Sequence, residues 1–98
     1  MKEYILNGNN FSTMDEFYNE IQKIMTCNLN WKIGHNLDAL NDILRGGFGQ
    51  HYLNESVTIK WINYGRSKDI LGVDNVLDII EVILDARDSG HDCKLELY

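Results

Sequence analysis

Residues 35–49 have the sequence HNLDALNDILRGGFG, which predicts one amphipathic helix that ends at a glycine. Asn36 stands directly before the apolar pattern, where an asparagine side chain can cap a helix by accepting a hydrogen bond from a first-turn amide. Gly46 or Gly47 provides the left-handed residue that commonly ends a helix. The apolar stripe that would face the core consists of Leu37, Leu40 and Leu44.

The outer side of this helix carries two aspartates, Asp38 and Asp42, one turn apart and with no lysine beside them. Like charges at this spacing cost a helix a few tenths of a kcal/mol. Asn41 and Arg45 are predicted to share the same side. One interpretation is an ordinary solvated helix face. The other is a negatively charged surface for a basic partner, in which binding offsets the repulsion.

The rest of the chain predicts three strands and further helices around this one. The predicted strands are Lys2–Asn7, Ser56–Asn63 and His91–Tyr98. The predicted helices are one capped by Ser12 or Thr13 that ends near Met25, a short turn at Arg66–Leu71, and a long helix at Val73–Ser89 that stops at Gly90. The long helix is predicted to bury Val76, Leu77, Ile80, Ile83 and Leu84, and its acidic face consists of Asp74, Asp78, Glu81, Asp85 and Asp88.

The order of these elements predicts the sheet. Helices fill both connections between strands, which favours parallel pairing. Parallel strands covered on both faces are apolar throughout, whereas the second and third strands here alternate. Right-handed connections between strands in the order 1-2-3 put every helix on the same face. The predicted fold is therefore α/β, a two-layer arrangement with a three-stranded parallel sheet (order 1-2-3) and helices packed on one face.

Composition and charge limit the function classes. The chain has 98 residues, which predicts a single domain, and 9 Lys+Arg against 15 Asp+Glu give a net charge of −6. A nucleic-acid-binding protein needs a basic surface, so nucleic acid is not expected as a partner. No segment approaches membrane-spanning length, so no membrane is expected either. The start of the chain lacks the apolar run of a signal peptide. A cytoplasmic protein with reduced thiols at Cys27 and Cys93 is expected.

Catalysis and metal binding fit the pattern less well. A pair of catalytic carboxylates needs a cleft, whereas Asp38 and Asp42 are predicted on an outer helix face. The His91-Asp92-Cys93 triplet has no second ligand pair, so no metal or other cofactor is expected. An enzyme that uses a divalent cation at acidic residues remains an alternative, as does a plain structural or regulatory domain.

The residues GHNLDALNDILRGGFG resemble the signature of the barstar family, which consists of intracellular inhibitors of barnase-type ribonucleases. The similarity extends over the whole chain, residues 1–98. It includes the first strand with its NG turn, the strand-like SVTIKWIN, the SKDIL stretch, and LDARDSG before the last strand. The resemblance implies a small three-stranded parallel sheet with helices on one side. It also implies that the second helix and the loop before it block a nuclease active site.

The resemblance assigns roles to particular residues. Asp38 matches an aspartate that contacts basic residues of the nuclease active site. Asp42 matches the acid that occupies a phosphate-binding pocket, so it is the expected hot spot. Gly46 matches a glycine whose backbone packs on the enzyme, and Asp85 matches a more peripheral glutamate.

Four positions depart from the family pattern. Asn41 replaces an aromatic residue between the two aspartates, and Arg45 replaces a small polar residue. Gly47 replaces a tryptophan, and the family's contact tyrosine aligns near Lys32, with Trp31 close enough to substitute. The expected function is therefore an immunity-type inhibitor, a monomer when free and not an enzyme, whose acidic helix and loop mimic RNA phosphates against a basic microbial ribonuclease or related toxin. The alternative is a barstar-like domain that binds a different basic protein.

Overall fold

The computed structural model describes residues 2–26, 34–45, 55–84 and 93–98. Within these ranges, seven regular elements follow one another. They are β1 (Lys2–Asn7), α1 (Met14–Met25), α2 (Leu37–Arg45), β2 (Val57–Ile62), α3 (Tyr64–Leu71), α4 (Val73–Leu84) and β3 (Cys93–Leu97), with a 3-10 turn at Gly8–Asn10. The predicted helix stops at Gly46 or Gly47 and at Gly90 lie outside the described residues.

The three strands form one parallel sheet in the order β1-β2-β3, which confirms the predicted topology. Tyr4 lies beside Ile59, and Ile59 lies beside Leu95, so these three side chains share one face of the sheet. Tyr4 and Ile59 are buried, whereas Ile5 on the opposite face is 59% exposed. The helices therefore cover the first face, whereas the second is only partly exposed, since Thr58 in the central strand is buried there. A partly exposed face is what the alternating pattern predicted.

An aromatic cluster centred on Trp61 joins the sheet to the helices. The ring of Phe17 stacks on Trp61 at 6.2 Å between centroids, and Phe11 meets Phe17 edge-on at 5.4 Å. Tyr64 approaches the Trp61 ring edge-on at 5.3 Å. The indole Nε1 donates a hydrogen bond to Ser67 Oγ at 3.2 Å, so the buried polar group is satisfied.

Helix α3 begins earlier than predicted and holds the turn after β1. The prediction was a short turn from Arg66, but the helix begins at Tyr64, directly after Asn63 in a left-handed conformation (φ 55°). The guanidinium of Arg66 donates to Gly8 O at 2.6 Å and Phe11 O at 2.9 Å. A charged side chain on α3 thus joins this helix to two carbonyls in and just after the turn that follows β1.

Helix α4 is rotated from its predicted orientation. The structure buries Val76, Ile79 and Ile83. It leaves Leu77 and Leu84 about half exposed, so the prediction that both are buried was wrong. The helix is apolar at most positions, so helical spacing is compatible with either of two stripes facing the core. Packing of α4 against α2, α3 and β3 selects the one that contains Ile79.

Alkaline pH is expected to destabilise the fold through Tyr4. Burial, with a smaller contribution from the charge of Glu55, raises the pKa of Tyr4 to about 12. Unfolded tyrosine ionises near 10, so this contribution to stability is intact below pH 10 and is lost as pH rises towards 12. Two pKa units correspond to roughly 2–3 kcal/mol. Denaturant unfolding between pH 9 and 12 should show this loss. Tyr4→Phe should have a shallower pH dependence, and an unchanged slope would contradict the assignment.

Candidate functional site

The start of α2 is fixed by the predicted cap. The Asn36 side-chain oxygen accepts a hydrogen bond from Ala39 N at 2.8 Å, and its backbone carbonyl accepts from Leu40 N at 3.1 Å. One amide in a helix's first turn therefore has a side-chain partner and does not depend on water. This confirms Asn36 as the cap and sets where the helix presents its first acidic residue, Asp38.

Removal of this cap should cost stability without removing an acidic residue. Asn36→Ala is expected to lower the free energy of unfolding by about 1 kcal/mol, since the Ala39 amide loses its acceptor. Asn36→Ser should retain most of that stability, because a hydroxyl can accept the same bond. Chemical denaturation of the three proteins tests this, and equal stability of the alanine and serine variants would contradict the role of the cap.

The residue before the cap is anchored to α1. The ring of His35 stacks on Tyr18, with centroids 5.5 Å apart and an interplanar angle of 21°. His35 Nδ1 also lies 3.0 Å from Asp15 Oδ1. Burial, and to a smaller degree the charge of Asp78, raises the pKa of Tyr18. The contact between His35 and Asp15 was not predicted, because nothing in the sequence pairs a first-turn acid of α1 with a residue twenty positions later.

The inner face of α2 is wider than predicted. Leu40 and Leu44 are buried as expected, but Ile43 is also buried and Leu37 only partly so. Helix α2 packs against both α1 and α4, so residues on two flanks lose solvent. Contact on both sides leaves only a narrow outer strip of the helix exposed.

Asp38 and Asp42 occupy that outer strip. Both residues are exposed, as the helical spacing predicted. Residues four apart on a helix have Cβ atoms about 5–6 Å apart, so the two carboxylates present adjacent negative charges. The arrangement can bind cations that a partner holds at a similar separation.

The other candidate residues divide into two groups. Asn41 and Arg45 lie on α2 but are partly buried, so the prediction that they share the exposed side is only partly right. The Asn41 side-chain oxygen is inaccessible to solvent and has no hydrogen-bond partner in the described part of the chain. The remaining candidates, Trp31, Lys32, Gly46 and Asp85, lie outside the described residues.

A shallow polar pocket of about 210 Å³ lies beside α1, lined by Asn10, Glu16, Asn19, Glu20 and Lys23, and it contains none of the candidate residues. Within residues 2–26, 34–45, 55–84 and 93–98, no group of three His, Cys, Asp or Glu side chains is placed to hold a metal ion. No helix in the same ranges is long and apolar enough to cross a membrane.

A parallel three-stranded sheet with helices packed on it, one of which carries two exposed aspartates, defines a small α/β protein. The chain matches the family model described as Barstar (barnase inhibitor) over residues 1–98, and it therefore belongs to the barstar family. Membership indicates a barnase-inhibitor-like protein, because members of this family are inhibitors rather than enzymes. A search of curated proteins found no match.

Proposed function

We propose that this protein inhibits a barnase-type ribonuclease by inserting α2 and the loop before it into the enzyme's active site. In this proposal Asp38 and Asp42 stand in for RNA phosphates and bind the cations that would otherwise hold the substrate. The observation that carries the proposal is the exposure of both carboxylates on a helix whose opposite face is buried. The family match over the whole chain supports it.

Electrostatics would contribute to the rate as well as the strength of binding. The chain carries a net charge of −6, and a nuclease that binds RNA carries a basic active site. Complementary potentials raise association rates and suppress wrong partners. Helix α2 is already folded in the free protein, so complex formation is not opposed by the entropy of forming it.

The remaining contacts follow the family resemblance. The backbone at Gly46 would pack on the enzyme, and Asp85 would add a peripheral charge. Trp31 or Lys32 would contact the nuclease from the loop before α2. The proposal includes action in the cytoplasm as an immunity protein, with a monomeric free state and no cofactor.

The alternative proposal is a barstar-like domain that binds a different basic protein. Arg45 and Lys32 favour this version, because each adds a cation to the expected contact residues, and Arg45 lies on the same short helix as the two aspartates. A cation at this position would repel a basic nuclease surface shaped for a neutral residue, and such repulsion discriminates between partners. The acidic pair would remain the main contact in either version.

An inhibition titration tests the proposal. A barnase-type ribonuclease is assayed with increasing inhibitor at low and at high salt. The expected result is stoichiometric inhibition that weakens as salt rises, because screening reduces the attraction between the acidic helix and the basic site. Inhibition that does not depend on salt would contradict the electrostatic mechanism. Absence of inhibition would reject barnase-type enzymes as partners and favour the alternative proposal.

A further inference from the structure

Helix α4 carries an exposed apolar stripe along its whole described length. Val73 is 51% exposed, Leu77 is 49% exposed and Leu84 is 52% exposed, and the partly buried Ile80 lies between the last two. These four residues are separated by four, three and four positions, so they fall on one line along the helix. Ile70, near the end of α3, adds a further exposed apolar side chain.

This stripe is distinct from the face that α4 uses for the core. At ~100° per residue, the stripe is centred roughly 100° around the helix from the buried residues Val76, Ile79 and Ile83. A helix that only packs on its own core has one apolar face and an opposite polar one. A second apolar line on the outside marks a surface for another molecule, since contiguous exposed apolar patches in soluble proteins usually mark interaction sites.

Acidic residues follow the stripe on one side. Asp74, Asp78 and Glu81 are all exposed, and by the same helical geometry they lie roughly 100° further around α4. The sequence of α4, VDNVLDIIEVIL, contains no basic residue. The exposed surface of α4 therefore consists of an apolar line beside a line of negative charge.

We infer that the α4 stripe is a docking surface for a basic amphipathic helix of another protein. Leucine-like side chains of that helix would cover Leu77 and Leu84, and its lysines or arginines would lie beside Asp78 and Glu81. Helix-in-groove recognition uses this spacing of anchors. Its apolar anchors lie on α4 and not on α2, so the inference goes beyond the proposed inhibition.

Charge argues against a second copy of this chain as the occupant. In an antiparallel helix pair around a two-fold axis, the same flank of each helix faces its own copy. The acidic line of one α4 would then lie along the acidic line of the other, and each chain carries a net charge of −6. A basic helix satisfies both the apolar stripe and the charge beside it.

A peptide titration tests the inference without any nuclease. The probe is a synthetic, fluorescently labelled helical peptide with leucines on one face and lysines along one flank. Its control has the same composition in an order that removes the helical segregation. Fluorescence anisotropy should show that the amphipathic peptide binds and that the control binds at least about tenfold more weakly.

The variants locate the binding surface. Leu77→Lys should weaken peptide binding by about tenfold or more, since it places a cation in the apolar stripe. Ile5→Lys, which makes the same change of net charge on the uncovered face of the sheet, should leave binding close to that of the wild type. Asp42→Ala should also retain binding, so a failure here is distinguishable from a failure of the proposed inhibition. Equal binding by the Leu77→Lys and Ile5→Lys proteins would overturn the inference.

Self-association is measured in parallel by sedimentation velocity. The expected result is a monomer for the wild type and for Leu77→Lys. A wild-type dimer that the Leu77→Lys substitution dissociates would identify a second copy as the occupant and would overturn the assignment to a basic helix.

Discussion

Asp42→Ala is expected to weaken ribonuclease binding by about 2–5 kcal/mol, which corresponds to roughly 30- to 5000-fold in the dissociation constant. In the proposed complex this carboxylate pairs with cations in a site that excludes water. Truncation leaves those cations buried and without a partner, and that penalty exceeds the loss of a contact at the rim. The side chain is exposed in the free protein, so thermal unfolding should be nearly unchanged.

Asp69→Ala is the matched control for this experiment. Asp69 is an exposed acidic residue on α3, outside both α2 and α4, so its removal makes the same change in net charge. Inhibition by this variant should stay within a few-fold of the wild type, as expected for long-range charge alone. Similar losses for both variants would mean that Asp42 acts only through net charge, and the phosphate-mimicry assignment would then be wrong.

Trp61→Ala is expected to have the largest effect on stability, at about 3–5 kcal/mol. The side chain is completely buried and contacts the rings of Phe11, Phe17 and Tyr64. Truncation leaves a cavity at the junction of the sheet and α1, and it also removes the hydrogen bond to Ser67. Domains of this size have a total stability of about 5–15 kcal/mol, so a large share would be lost.

Tyr98→Ala controls for the removal of an aromatic side chain. Tyr98 is 64% exposed. Its backbone N–H donates a hydrogen bond to Trp61 O, and the substitution keeps this interaction. Its cost should be below about 1 kcal/mol by urea unfolding. If Trp61→Ala were no more destabilising than Tyr98→Ala, the aromatic cluster would not be the centre of the core.

The fold was predictable because its signals are local and consistent with one another. Alternation in β2 identified Val57, Ile59 and Trp61 as the inner residues, and all three are buried. Two helix-filled connections then required parallel strands, and the observed sheet order follows.

The rotation of α4 was not predictable, because the sequence offers two apolar stripes and only packing against neighbouring elements selects one. The same ambiguity left Ile79 out of the predicted core and included the exposed Leu77. For an all-round apolar helix, the hydrophobic pattern predicts that the helix exists but not which side faces inward.

The position of the candidate site was predictable, but the contacts that anchor its helix to the rest of the fold were less so. Helical spacing alone placed Asp38 and Asp42 outward, and the structure agrees. The contact of His35 with Tyr18 and Asp15 joins residues that only the folded chain brings together. The role of the two aspartates stays a prediction, because it depends on a partner surface that this sequence does not contain.

The measurement that tests the central claim most directly is the inhibition of a barnase-type ribonuclease at increasing concentrations of an oligonucleotide substrate. If α2 occupies the phosphate-binding site, inhibitor and substrate exclude each other. The apparent inhibition constant should then rise linearly with substrate concentration, with the maximal rate unchanged. An inhibition constant that does not depend on substrate would show that the protein binds elsewhere on the enzyme, and would contradict the proposal that its carboxylates take the place of RNA phosphates.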